Sequence, residues 1–177
     1  MKLILMRGLP ASGKTTEAKN LLLMHKGSYK RINRDDLRAM IDNGKWSKNN
    51  EKYIKLAEFE LAKMYLSNKY NVIIDDTNLS EKTVNRWREF AKVENADFEI
   101  RDFTDIPLIE CIKRDQKRPN YVGEKVIKRM YNDFLSKSAP VTLFNPELLD
   151  AVVTDLDGTL ALHTSGRSPY DGHLCEE

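Results

Sequence analysis

Eight residues hold the densest chemistry in this sequence: Gly8-Leu9-Pro10-Ala11-Ser12-Gly13-Lys14-Thr15. They satisfy G-x-x-x-x-G-K-[ST] at every fixed position. Two glycines permit a tight turn whose backbone N–H groups face phosphate oxygens. A helix starting at the end of the run adds the positive end of its dipole. Lys14 can then reach the β- and γ-phosphates of a nucleoside triphosphate, and the Thr15 hydroxyl can take a place on Mg²⁺. The flanks suit that reading better than they suit a chance Gly-rich turn. The apolar run Leu3–Met6 precedes the loop, and helix-like Thr16–His25 follows it. Gly8, Ala11, Ser12, Gly13, Lys14, Thr15 and Thr16 form the expected nucleotide-binding set.

Four more segments place charged groups where chemistry could use them. Ile32-Asn33-Arg34-Asp35-Asp36-Leu37-Arg38 follows a short strand. An acid at a strand end beside a phosphate loop can accept a proton from an attacking hydroxyl. Asp35 or Asp36 could instead simply cap the next helix. Arg38 falls three residues after Asp35 on the same helix face, either as an ion pair or as a phosphate anchor beside a base. Val72-Ile73-Ile74-Asp75-Asp76-Thr77-Asn78 is an apolar strand ending in acids, which support Mg²⁺ or its waters in phosphate-loop enzymes; Asp76 is the better candidate. The plain alternative is a solvated strand end. Lys113-Arg114-Asp115-Gln116-Lys117-Arg118-Pro119 ends a helix at Pro119, with Asn120 and Gly123 permitting a mobile turn. Such a basic segment can clamp a triphosphate, or merely complement the helix dipole. Finally, Asp155-Leu156-Asp157-Gly158-Thr159 follows the apolar run Ala151–Thr154. Two carboxylates at that spacing can act as nucleophile and acid at phosphorus. A calcium loop of the EF-hand type is excluded by its unmet later ligand positions.

The elements that must position these groups alternate. Strands are expected at Leu3–Met6, Val72–Ile74, Phe98–Ile100 and Ala151–Thr154, with a weaker one at Tyr29–Ile32. Helices are expected at 51–67, 81–93, 105–115 and 123–136. In the first of these Ile54, Phe59, Leu61, Ala62, Met64 and Tyr65 come near helical spacing, and Ser80 serves as N-cap of the second. Alternation of this kind predicts an α/β fold with a doubly wound, mostly parallel sheet flanked by helices. Pro140 and Pro146 interrupt the pattern, and a domain boundary is expected near residue 145.

Composition narrows the class. The chain has 177 residues, 41% hydrophobic and 32% charged, enough for one domain with a substantial core. No apolar stretch approaches a bilayer's thickness, so no membrane partner is expected. The N-terminus lacks the apolar run of a signal peptide. Cys111 and Cys175 form no metal-binding spacing, and a reducing cytoplasm is expected. His25, His163 and His173 are too scattered for a metal site. A net charge of +2 does not describe a bulk nucleic-acid binder. Residues 110–131 are nevertheless locally basic and could meet phosphates.

The succession GLPASGKT, INRDDLR, VIIDDTNL, KRDQKRP and TDLDGTLA resembles the phage-type polynucleotide kinase–phosphatases over essentially the whole chain. The resemblance implies a P-loop kinase domain of adenylate-kinase-like fold over residues 1–145. Residues 146–177 resemble only the start of a haloacid-dehalogenase-type phosphatase domain. It implies transfer of the γ-phosphate of ATP or GTP, with Mg²⁺, to the 5′-hydroxyl of single-stranded or end-exposed DNA or RNA. Lys14 would hold phosphates, Thr15 and Asp76 the metal side, and Asp35 would be the general base. Arg38 would grip the phosphate 3′ of the acceptor nucleotide, with Thr77 and Asn78 near the acceptor. Arg118 would be the lid arginine and Arg114 would lie near the donor nucleotide. Asp155 and Asp157 match the phosphatase nucleophile and acid. Only 18 residues follow Thr159, so kinase without phosphatase activity is expected, from either a shortened chain or a vestigial second domain. The resemblance also implies a homo-oligomer, and the cytoplasm of a host cell if the chain is phage-encoded.

Two other readings fit the phosphate loop: a kinase of a small alcohol, nucleoside or metabolite, and a nucleotide-dependent binding module with no acceptor. Arg38 and the basic segment favour a polyanionic acceptor over both.

Overall fold

Four short apolar runs pair as a wholly parallel sheet in the computed structural model, which describes residues 1–136. The strands are β1 (Lys2–Arg7), β2 (Tyr29–Ile32), β3 (Asn71–Ile74) and β4 (Asp97–Asp102), in spatial order β2-β3-β1-β4. Parallel neighbours need crossover connections. These are α1 (Lys14–Met24), α2 (Arg34–Asp42) with α3 (Asn50–Ser67), and α4 (Glu81–Val93); α5 (Leu108–Gln116) and α6 (Glu124–Phe134) follow β4. Helix α5 starts later than expected because Pro107 disfavours a helical residue before it. No described helix is long and apolar enough to cross a membrane.

The central strands are buried on both faces. Leu3 pairs with Val72 and Leu5 with Ile74. These four share a core with Ile54, Ala62 and Leu66 of α3 and Val84, Trp87 and Ala91 of α4. The alternate residues Ile4, Met6 and Ile73 face the other way, against Ala18 and Leu21 of α1. Strand β4 lies at the sheet edge and is only half-buried. One expectation fails inside α3. Met64 is exposed, and Glu58 takes the core position four residues after Ile54. Its surroundings are described below.

This topology gathers the chemistry. Helix α1 leaves β1 on one face of the sheet, whereas α4 leaves the adjacent β3 on the other. Open α/β sheets bind ligands at such a switch point, outside the carboxyl ends of the strands. Residues 8–15, 33–38 and 75–78 all begin there. The expected strand Ala151–Thr154, the acids Asp155 and Asp157, and the boundary near residue 145 lie outside the described residues.

Candidate active site

The phosphate loop is fixed by backbone and packing. The Gly8 N–H donates to the Thr77 carbonyl at 2.9 Å, tying the loop to the end of β3. A Cβ on Gly8 would lie 2.8 Å from Ser12 Oγ and 2.9 Å from Phe103 Cβ, and φ is +153° there. Only glycine fits. Gly13, at φ +110°, then turns the chain into α1. Lys14 lies buried at the helix start, where its Nζ donates to the Leu9 carbonyl at 2.5 Å and to Ser12 Oγ at 3.3 Å. Burial pushes the ammonium down to about 8, against the opposing pull of Asp75.

Two open clefts meet over this loop. One, of about 710 Å³, is lined by Ala11, Gly13, Lys14, Thr15, Thr16, Phe103, Arg114 and Arg118, with the first turns of α1. The other, of about 320 Å³, is lined by Lys14, Thr15, Asp35, Arg38, Asp75, Asp76, Thr77 and Arg118 among others. Ala11, Lys14, Thr15 and Arg118 border both. One cleft is walled by the expected nucleotide-binding residues and the other by the candidate base. The polar side chains shared between them, Lys14, Thr15 and Arg118, are groups that can stabilise charge on a group in transit.

The second cleft is held by an ionic lattice. Asn33, rather than Asp35 or Asp36, caps α2: its Oδ1 accepts from the Asp36 N–H at 3.1 Å, while its amide donates to the Asp75 carbonyl. Asp36 instead pairs with Arg31 at 2.5 Å. Asp35 therefore keeps a solvent-facing carboxylate, 85% exposed, whose one ionic partner among the described residues is Arg38. Glu51 grips Arg38 by two parallel hydrogen bonds of 3.0 Å, from Nε and one terminal nitrogen, leaving the other terminal nitrogen toward Asp35. The same grip holds the Glu51 carboxyl below its ordinary range.

Asp75, not Asp76, adjoins Thr15: its Oδ1 accepts from the Thr15 hydroxyl at 3.2 Å and its Oδ2 from Arg31 Nε at 2.6 Å. Burial nevertheless raises the Asp75 carboxyl. Asp76 accepts from the Arg34 backbone N–H at 3.2 Å and from Arg34 Nε at 3.0 Å. Glu58 lies 3.7 Å from Arg34 Nε. Burial and its neighbour Asp76 push the Glu58 carboxyl up to about 9. Its neutral form is favoured there, with Arg34 alongside, which is how a glutamate occupies the core. Thr77 reaches this cleft. Asn78 lines an adjoining cleft that shares Arg34, Thr77 and Met130 with it, and its buried amide donates to the Met6 carbonyl at 2.8 Å and secures the end of β1.

Above both clefts, Asp115 organises the basic segment. Its buried carboxylate accepts from the Val122 N–H at 2.9 Å and the Gly123 N–H at 2.8 Å, and lies 3.5 Å from Arg118. The turn after Pro119 is thus pinned. Arg114 pairs with Glu110 at 2.7 Å. Sequence reasoning missed Arg31, Asn33, Arg34, Glu51, Glu58 and Asp115 as contributors. A lone acid inside a basic run was the signal available for Asp115. Nothing local marks Glu51 or Glu58, whose partners are distant in sequence.

The donors near the loop suit Mg²⁺. It takes one or two carboxylates with substrate phosphates and keeps several waters. The Thr15 hydroxyl and Asp75 carboxylate provide that modest set. No group of three His, Cys, Asp or Glu converges among the described residues.

A phosphate loop, a parallel sheet with its switch point beside it, and a basic segment overhead define a P-loop phosphotransferase-type fold. Residues 3–136 match the AAA domain family, and the chain belongs to it. It is similar to a candidate bifunctional polynucleotide kinase/RNA ligase of Autographa californica nuclear polyhedrosis virus. The two are 34% identical over 191 residues, spanning 96% of this chain and 26% of that protein. An L-seryl-tRNA(Sec) kinase of Methanococcus maripaludis is 29% identical over 154 residues, spanning 85% of this chain and 58% of that one. A chain of the solved Pnkp1/Rnl/Hen1 RNA repair complex matches with a TM-score of 0.63 and 30% identity, over 96% of this chain and 60% of that chain. Chaetomium thermophilum Kti12 with ADP-AlF3 shares the fold, with a TM-score of 0.56 at 22% identity, over 75% of this chain and 79% of that one. The chain spans about a quarter of the viral relative's length and under two thirds of the archaeal one's.

Proposed function

We propose that this chain transfers the γ-phosphate of a nucleoside triphosphate to the 5′-hydroxyl of a nucleic-acid end. The observation that carries this is the meeting of two clefts at Lys14, Thr15 and Arg118, with Asp35 and Arg38 facing the second. Similarity to the viral protein and to a chain of the RNA repair complex supports a polynucleotide acceptor.

In this reading the loop N–H groups and Lys14 cradle the donor phosphates, and Arg114 lies over the donor. Asp35 takes the proton from the 5′-hydroxyl while a bond forms from that oxygen to the γ-phosphorus. The bond to the β,γ-bridging oxygen breaks, and the nucleoside diphosphate leaves. Arg38, its plane fixed by Glu51, turns the terminal nitrogen that meets Asp35 in the free protein to the phosphate 3′ of the acceptor nucleotide. Arg118 and Lys14 stabilise charge on the phosphoryl group between them. Mg²⁺, when bound at Thr15 and Asp75, would neutralise phosphate charge. Asp76 then acts one step away, holding Arg34 at the mouth of the acceptor cleft.

The test is transfer of labelled γ-phosphate from ATP or GTP to 5′-hydroxyl DNA and RNA oligonucleotides, with nucleosides and seryl-tRNA as competing acceptors. Label on oligonucleotide 5′ ends supports the reading. Label only on a nucleoside or on the seryl group overturns it.

A further inference from the structure

We infer that the α2–α3 connection and the first turns of α3 form a binding track for the single strand on the 3′ side of the acceptor nucleotide. This rests on the 5′-kinase reading above. Two aromatic side chains stand out of the protein there without packing: Trp46 is 68% and Tyr53 69% exposed. The other tryptophan, Trp87, is buried and stacked on Phe59 with ring centroids 4.1 Å apart. An exposed indole has no role in the core.

The charge around these rings is net positive. Residues 42–55 contain Lys45, Lys48, Lys52 and Lys55 against Asp42 and Glu51. Both carboxylates are already engaged. Asp42 accepts from the Asn50 amide at 2.7 Å, and Glu51 binds Arg38. Lysines interleaved with rings are the chemistry that binds single strands, since the cations follow the phosphates while bases stack on the aromatic faces.

The track is continuous with the acceptor cleft. The Gly44 N–H donates to the Arg38 carbonyl at 3.0 Å, so Lys45 and Trp46 leave directly from the residue proposed to hold the acceptor's 3′ phosphate. On the other side Glu51, bonded to the Arg38 guanidinium, immediately precedes Lys52 and Tyr53. The connection itself is ordered by hydrogen bonds from the Lys45 N–H to the Asp42 carbonyl at 3.1 Å and from the Asn50 N–H to Ser47 Oγ at 3.1 Å. A strand leaving Arg38 toward its 3′ end thus meets a fixed platform within its next few nucleotides. The substrate class that follows is a 5′-hydroxyl end whose next several nucleotides are single-stranded, not a mononucleotide and not a blunt duplex.

The test compares acceptor KM for a nucleoside 3′-phosphate and for 5′-hydroxyl oligonucleotides of two, four, six and ten residues, in the wild-type chain and in Trp46→Ala and Tyr53→Ala. The expected result is a KM that falls with length in the wild type. That gain should shrink by about 5- to 100-fold per ring removed, while kcat and KM for the nucleoside 3′-phosphate stay unchanged. A variant with all four lysines changed to Gln should bind the ten-residue strand with a salt slope shallower by roughly 0.7 per lost contact. Independently of any variant, the emission of exposed Trp46 should respond to oligo(dT), and that response should vanish in Trp46→Phe. A wild-type KM independent of length, or an emission unmoved by oligonucleotide, overturns the track while transfer to the shortest acceptor leaves the kinase reading standing. Transfer to no polynucleotide at all is the separate failure that overturns the kinase reading itself.

Discussion

Asp35 and Arg38 touch each other, yet their losses should separate in kinetics. Asp35 is free of capping duty and nearly fully exposed, so Asp35→Asn leaves the fold and the nucleotide cleft intact. Loss of a general base lowers turnover by about 10²–10⁴-fold. The expected result for Asp35→Asn is such a fall in kcat with donor KM unchanged, and near-normal turnover would remove Asp35 from the chemistry. Arg38→Ala should instead raise acceptor KM and leave donor KM alone, measured with each substrate varied in turn. Lys14 adds a pH dependence. Its ammonium is pushed down to about 8 in the free protein, chiefly by burial. Between that value and the ordinary lysine value the free protein has lost the proton that a bound phosphate needs, so nucleotide binding must take a proton up. Nucleotide affinity should therefore decline above about pH 8. Calorimetry at pH 8.5 in buffers of different ionisation enthalpy should show proton uptake, and no uptake would mean Lys14 keeps its charge while buried. The stability sign is opposite to that of a favourable ion pair. A lowered lysine value penalises the folded state below about 8, and that penalty is relieved as pH rises toward the unfolded value.

At the scale of elements, the turn between α5 and α6 is the piece whose rigidity the sequence did not reveal. Pro119, Asn120 and Gly123 suggested mobility, yet the Asp115 carboxylate accepts two backbone N–H groups from it and lies near Arg118. Asn at that position offers one acceptor oxygen and an unwanted donor. Asp115→Asn should thus lower kcat by loosening Arg118 and cost about 1–3 kcal/mol of stability, with donor KM little changed. Thermal melting and steady-state rates check both, and an unaltered kcat would show that Arg118 needs no such support. The same contrast explains what was legible. The apolar runs at Leu3–Met6 and Val72–Ile74 announce buried parallel strands, and the phosphate-loop pattern fixes its own geometry because its partners are neighbours in sequence. Helix Glu81–Val93 emerged at its expected place for the same local reason, with Ser80 at the N-cap position but without a side-chain capping hydrogen bond. The ionic lattice was not legible, because Asp75 with Arg31, Asp76 with Arg34 and Arg38 with Glu51 are set by which strand ends lie side by side. Preferring Asp76 over Asp75 for the metal side was a choice between neighbours that point to different partners, and only the sheet distinguishes them. Glu58 drew no notice because a carboxylate on a helix is ordinarily solvated, and its setting beside Asp76 and Arg34 is set by the tertiary fold.

For the molecule as a whole, the described residues that line the two clefts all fall between Pro10 and Met130. Residues 1–136 form one compact unit by themselves. All four strands find their pairing partners within it. Its apolar clusters are also internal: one core on each face of the sheet, and a third joining Leu9 of the loop to Leu79, Cys111 and Ile127 under the basic segment. A domain of this length buries roughly two thirds of the surface its unfolded chain exposes, enough for cooperative folding without further support. The proposed division of labour therefore assigns the kinase to this unit and leaves the Asp155 and Asp157 motif outside it. A fragment ending at Ser136 should melt in one transition, bind nucleotide as the full chain does, and phosphorylate 5′-hydroxyl ends with kcat and both KM values within about threefold of it, a margin of under about 1 kcal/mol. The fragment and the full chain can be compared by calorimetry and by transfer assays run side by side. Because the third cluster packs beneath Arg118, a change confined to kcat would show that residues beyond 136 steady the basic segment. A fragment that does not fold would show that the boundary lies further along, where the sequence had placed it near residue 145.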